Sequence, residues 1–254
     1  MKKIIAIANQ KGGVGKTTTA INLSASIAET GKHVLVIDMD PQGNTTSGLG
    51  VDKNRVKNSV YDLLIGECTA KEAITKTDVD NLDLIPANIN LSAAEIELLD
   101  VKDKEFILKN EIDYVEADYD YVLIDCPPAL SMLTVNSLTT ATSVLVPIQC
   151  EYYALEGLSQ LIYTIELVQE RLNADLTIEG VVFTMFDSRT NLSNQVVENV
   201  KNNLQQKIYD TVIPRNVRLA EAPSYGMPIT MFDPKSPGAE SYRSLARELM
   251  ESEG

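Results

Sequence analysis

Residue types that build metal centres and nucleophilic triads are scarce in this chain. It has no tryptophan, one histidine (His33) and three cysteines (Cys68, Cys126 and Cys150) in 254 residues. No two cysteines form a C-x-x-C pair, which argues against a disulfide framework or thiolate metal site and for a reducing, cytoplasmic setting. One histidine, at the head of a β-branched run, leaves little for triad chemistry. Long apolar runs are also lacking. The opening MKKIIAIANQ breaks at Asn9 and Gln10, too early for a secretory core, and no later stretch reaches the ~18 uninterrupted apolar residues of a membrane span. Repeats, low-complexity blocks and Pro/Gly/Ser linkers are missing, which predicts one domain over residues 1–254.

Basic charge is the other shortage: 22 Lys and Arg stand against 36 Asp and Glu, a net of −14. The imbalance lies wholly before Arg189. From Arg189 onward eight basic and eight acidic residues cancel. A neutral, arginine-bearing segment on an acidic body can still present a local basic face.

What the chain does have is alternation. Short apolar runs at Ile4–Ala8, His33–Asp38, Leu82–Pro86, Tyr121–Asp125, Ser143–Ile148, Ile178–Thr184 and Thr211–Ile213 read as strands covered on both faces. Between them, Thr17–Thr30, Ser59–Ile65, Ser92–Leu99, Phe106–Ala117, Leu133–Ala141, Ala154–Leu172, Leu192–Gln206 and Gly238–Met250 read as helices. The order predicts an α/β fold, a doubly wound, mostly parallel sheet flanked by helices.

The first strand runs into Lys11-Gly12-Gly13-Val14-Gly15-Lys16-Thr17-Thr18, and a helix follows. Glycines there let backbone N–H groups converge on phosphate oxygens, and the helix N-terminus favours the anion. Lys16 is expected on the β- and γ-phosphates and the Thr17 hydroxyl on Mg²⁺. Asp38 and Asp40 close the second strand just before the turn Pro41-Gln42-Gly43. At that strand end Asp40 is placed to orient a water for in-line attack, with Asp38 supporting Mg²⁺ or the loop. Asp125 ends the strand YVLID, a Walker B pattern whose carboxylate holds Mg²⁺ through a water. No Asn-Lys-x-Asp guanine reader follows a later strand, so ATP is the expected nucleotide.

The form K-G-G-x-G-K-T, with Gln10 in place of the usual first glycine, resembles the deviant Walker A loop of the ParA/MinD superfamily. DMDPQGNTTSGLG, DCPP, TMFDSRTN and VIPRNVRLAEAPSYGMPI are similar to ParA/Soj segments in family order. The resemblance implies that Lys11 reaches the phosphates held by a partner subunit, so that two ATP molecules are sandwiched in a homodimer. It implies hydrolysis by Asp40, adenine contacts from Phe186, Asp187 and Pro214, and non-specific double-stranded DNA binding by Arg189 and Arg218. It also implies a weak intrinsic Mg²⁺-dependent ATPase, a ParB-like centromere-binding protein as stimulator, and a cytoplasmic, nucleoid-associated location. The acidic tail RELMESEG differs from the basic amphipathic helix of MinD-type relatives, so no membrane partner is expected. The resemblance implies a chromosomal, Soj-like member, without the added DNA-reading domain expected at the N-terminus of longer plasmid types. The rival readings are a MinD-like membrane-cycling ATPase and a metabolic P-loop ligase. An iron–sulfur carrier would need paired cysteines.

Overall fold

The computed structural model describes residues 3–151, 154–204 and 206–251. Its strands are β1 (Lys3–Ile7), β2 (Val34–Asp38), β3 (Thr75–Lys76), β4 (Leu82–Ile85), β5 (Tyr121–Asp125), β6 (Ser143–Gln149) and β7 (Thr177–Thr184). Among the described residues they form one sheet in the order β3-β4-β2-β5-β1-β6-β7, and every pairing is parallel except β3 with β4. Parallel neighbours need crossovers, and the intervening helices supply them.

The helices are α1 (Lys16–Ala28), α2 (Asn44–Gly48), α3 (Val60–Leu64), α4 (Ala70–Ala73), α5 (Leu91–Glu97), α6 (Ile107–Ile112), α7 (Met132–Thr140), α8 (Ala154–Arg171), α9 (Asn191–Asn203), α10 (Val217–Glu221), α11 (Ile229–Phe232) and α12 (Pro237–Glu251). The strands are buried along almost their whole length, as their Val/Ile/Leu content requires. One apolar cluster packs residues of α3, α5, α6, α7 and α8 on one face of the sheet. The second packs α1 and α12 on the other, with Tyr242, Leu245 and Leu249 of α12 fully buried. The doubly wound, mostly parallel α/β sheet is therefore present as expected.

Thr211–Ile213 is not a strand. Ile213 exchanges two backbone bonds with the β7 edge, to Phe183 and Phe186. However, the N–H groups of Asp210 and Thr211 go to the Glu248 carboxylate at 2.7 and 3.0 Å, which separates the Ile213 bonds from those that Lys207 and Tyr209 make to Val181, so no continuous ladder forms. Phe106–Ala117 is α-helical only over Ile107–Ile112, with 3-10 turns at Lys104–Phe106 and Glu116–Asp118 on either side. The two-residue β3 and the short α2, α4, α10 and α11 carry too few residues for a periodic pattern. Gln205, within the expected Leu192–Gln206 helix, and the 252–254 end of the acidic tail lie outside the described residues.

Candidate nucleotide site

The parallel register sets the site. Ile7 pairs with Asp125 across β1 and β5, and Asp38 pairs with Asp125 across β2 and β5. Both aspartates thus stand at strand C-terminal ends, next to the loop that leaves β1, where open α/β sheets hold their ligands.

That loop is braced at both ends. Asn9, nearly buried, donates from Nδ2 to the Pro147 carbonyl at 2.8 Å and accepts the Lys11 N–H at 3.0 Å. Val14 is buried, and its carbonyl accepts the Thr184 hydroxyl at 2.8 Å. Gly15 caps α1 at φ +90°, a left-handed conformation that glycine adopts without the Cβ penalty. No atom lies within 4 Å of where a Cβ would stand on Gly12 or Gly13, which leaves room above the loop backbone.

The two lysines of the loop face different environments. Lys16 is buried, and its ammonium donates to the Lys11 carbonyl at 3.0 Å, arching back over the loop. Burial lowers its pKa, and the charges of Asp125 and Asp40 oppose that shift. Lys11 instead lies partly exposed, with its ammonium ion-paired to Glu151.

Asp125 Oδ2 accepts two hydroxyls, from Thr17 at 2.8 Å and Thr45 at 2.7 Å. Its Oδ1 is buried with no hydrogen-bond partner among the described residues. Asp38 is fully committed: Oδ2 accepts the Thr46 N–H and hydroxyl at 2.8 and 2.7 Å, and Oδ1 accepts the Asp40 N–H at 3.2 Å. Burial pushes both carboxyls well above the usual carboxylate range, and the charge of Asp38 adds to the rise at Asp125. A buried carboxylate oxygen with no hydrogen-bond partner, beside a threonine hydroxyl, is a group that can take a cation.

Asp40 begins a tight turn. Its Oδ1 accepts the Gln42 N–H at 2.9 Å, and the Gln42 carbonyl accepts the Lys53 ammonium at 2.6 Å. Gly43 closes the turn at φ +60°, where a Cβ would sit 2.8 Å from the Ala87 carbonyl oxygen. Thr45 and Thr46 then tie α2 to Asp125 and Asp38. Sequence reasoning missed these threonines together with Asn9, Lys53 and Glu151. The Thr-Thr pair directly after the Gly43 turn was the one available signal for them.

On the other side of α1 a mostly apolar cavity of about 200 Å³ opens between Gly15, Thr18, Met185, Pro214, Arg215 and Asn216. Phe186 and Asp187 stand just beyond it. The Phe186 backbone bonds to Ile213 and Arg215, and the Asp187 carboxylate turns to Arg189. Met185 holds a left-handed φ of +50° at the cavity edge.

A family model described as AAA domain matches residues 2–178. The sporulation initiation inhibitor protein Soj of Bacillus subtilis is 58% identical over 249 residues, spanning 98% of each chain. The chromosome partitioning protein ParA of Myxococcus xanthus is 51% identical over 98% of this chain and 88% of its own. This chain belongs to the ParA/Soj family of partition ATPases.

The fold of this ParA/Soj chain is shared with a structure of cobyrinic acid a,c-diamide synthase from Mycobacterium smegmatis with a bound ATP analog and magnesium. That structure has a TM-score of 0.88 and 39% identity over 99% of this chain and 95% of the other. The cell division ATPase MinD of Pyrococcus furiosus superposes with a TM-score of 0.84 at 26% identity, covering 99% and 100%.

The two arginines singled out in the ParA/Soj segments are held by carboxylates. Arg189 grips Asp187 bidentately at 2.8 and 2.7 Å, which holds the Asp187 carboxyl down at about 2. Arg218 donates to Glu221 at 2.9 Å, pairs with Asp233 at 3.2 Å and lies over the Phe232 ring. Both side chains are more than half exposed. Arg243 pairs with Glu29 and Arg247 with Glu240. Among the described residues no helix is long and apolar enough to cross a membrane.

Proposed function

We propose that this chain is a Mg²⁺-dependent ATPase of chromosome or plasmid partition that dimerises on ATP and binds DNA non-specifically as a dimer. One observation carries the reading: Lys16 folds inward over the loop while Lys11, five residues away, projects outward to Glu151. Two ammonium groups so divided do not serve one triphosphate. Lys16 suits the β- and γ-phosphates of its own nucleotide. Lys11, once freed from Glu151, suits those of a nucleotide held by a second copy.

The cation site fits Mg²⁺, with the Thr17 hydroxyl and Asp125 as the groups that would hold it and Asp38 bracing the adjoining loop through Thr46 and Asp40. When bound, this ion neutralises charge on the β- and γ-phosphate oxygens. The backbone of Gly12, Gly13, Val14 and Gly15 and the first turn of α1, with Thr17 and Thr18, cradle the phosphates. The adenine fits the apolar cavity beside Pro214, with Phe186 and Asp187 setting the loop behind it. Asp40, on its braced turn, orients the attacking water. Hydrolysis by the chain alone is slow, because the loop region supplies no arginine finger in cis.

Arg189 and Arg218 contribute phosphate contacts after exchanging their carboxylate partners for DNA. Such contacts carry no base readout. A ParB-like protein is the stimulating partner, residues 1–254 act as one ATPase domain, and the protein works in the cytoplasm on the nucleoid. The test is turnover of ATP with and without DNA and a ParB-like protein. The reading predicts acceleration when both are present. A metabolic ligase would turn over with a small acceptor and ignore DNA.

A further inference from the structure

Away from the nucleotide site, a groove of about 490 Å³ runs between α3, the tail of α5 and the start of α6. Its apolar lining includes Leu64, Leu98, Val101 and Ile107, and Glu97 and Glu111 stand on its rim. Val101 is 41% exposed, and Ile96 and Leu99 on the same stretch are 72% and 61% exposed. Three large apolar side chains left in water within six residues are an unusual concentration on a surface and suggest a binding patch.

The charged residues that line this groove, Glu97 and Glu111, are both acidic. The stretch that supplies its walls, residues 60–114, holds thirteen acidic residues against five lysines. Among the described residues none of Glu67, Glu97 and Glu111 has a Lys or Arg within ion-pair distance. The field is felt locally. Cys68 is pushed up to about 11 by burial and then by Asp62, Glu72, Glu111 and Glu67. Tyr61, whose hydroxyl donates to Glu97 at 3.0 Å, is shifted upward as well.

The rim carboxylates accept hydrogen bonds, Glu97 from the Tyr61 hydroxyl and Glu111 from the Ala70 N–H at 2.9 Å, but among the described residues no cation neutralises them. An apolar floor with such a rim selects a ligand that is apolar on one face and basic on the other. A nucleic acid is repelled by the rim. A second copy meeting this face about a two-fold axis would set carboxylates against carboxylates. We therefore propose that the α3–α5–α6 groove docks a short, basic amphipathic segment of a partner protein. Aliphatic side chains enter between Leu98 and Ile107, and Lys or Arg pairs with Glu97 and Glu111. This site is separate from the nucleotide site, so its failure would leave the ATPase reading intact.

The experiment uses the full chain and a synthetic helical peptide with Leu at i, i+3, i+4 and i+7 and Lys between. A control peptide carries the same leucines with Glu in place of Lys. Amide NMR shifts and fluorescence anisotropy report binding. The proposal predicts shifts confined to 63–66, 97–101 and 107–111, and binding of the Glu peptide weaker by about tenfold or more. Glu97→Lys and Val101→Asp, both at exposed positions, should each weaken the Lys peptide at least ~5-fold, the scale of one lost contact near 1 kcal/mol. Their melting temperature and basal ATPase should not change. Equal binding of the two peptides, shifts centred elsewhere, or wild-type affinity in both variants would each overturn the proposal. So would a peptide-free, concentration-dependent dimer that Val101→Asp dissolves, which would make a second copy the occupant.

Discussion

At the scale of single residues, each site group has a chemical task that can be removed separately. Lys16→Ala deletes the ammonium that lies over the loop, and ATP affinity should fall about tenfold to a hundredfold, the ~1.5–3 kcal/mol of a hydrogen bond to a charged group. Isothermal titration reads this directly, and unchanged affinity would remove Lys16 from the phosphates. Asp40→Ala should keep ATP affinity and lose turnover by at least ~10²-fold, the usual worth of a positioned base. Normal hydrolysis by that variant would move the water-orienting role elsewhere. Asp125 provides a pH test. Its carboxyl is raised from 3.8 to about 7 by burial and by Asp38. A raised folded-state value means that the native protein holds this proton more tightly than the unfolded chain does. Its contribution is then complete below 3.8 and is lost as pH rises through about 7. In nucleotide-free, Mg²⁺-free buffer, wild type should therefore lose melting temperature relative to Asp125→Asn across that window. Parallel curves would contradict the raised value. The placing of Lys16, Thr17, Asp40 and Asp125 around one loop was legible because they sit in spaced motifs. Asn9 was not, since a buried hydrogen bond to the distant Pro147 leaves no pattern along the chain, and Thr45 and Thr46 left only their pairing as a trace.

At the scale of elements, the same physics sorts what could be read from what could not. Strands such as Val34–Asp38 and Tyr121–Asp125 are buried on both faces, and their unbroken apolar content announces them. The extended segment near Ile213 fails as a strand because the Glu248 carboxylate, 37 residues away, takes the Thr211 N–H. Four- and five-residue helices such as α4 and α10 stand on caps and packing instead of periodicity. The turn from Asp40 to Gly43 is the element most exposed to test. Gly43→Ala places a Cβ 2.8 Å from the Ala87 carbonyl oxygen at a positive φ, a strain of about 1–3 kcal/mol. The variant should melt lower and lose turnover more than ATP affinity, because the turn carries Asp40. Wild-type stability and kinetics would show that this turn does not need its geometry.

At the scale of the whole molecule, the proposed DNA binding has to coexist with the −14 net charge. The segment from Arg189 onward is neutral, and Arg189 and Arg218 within it are more than half exposed, as an exchange of carboxylate for phosphate partners requires. Arg189→Ala or Arg218→Ala should weaken binding to every DNA sequence alike and lower the salt slope by roughly one each. An unchanged slope would return both residues to their carboxylates. Assembly is the larger question, and it rests on Lys11, whose ammonium lies on Glu151 in the single chain. Sedimentation velocity at saturating Mg·ATP, with Asp40→Ala blocking turnover, addresses it most directly. The Asp40→Ala protein should sediment as a dimer, and the added Lys11→Ala change should leave ATP bound to monomers. Dimers that persist without Lys11, or monomers in both proteins, would contradict the shared-nucleotide assembly.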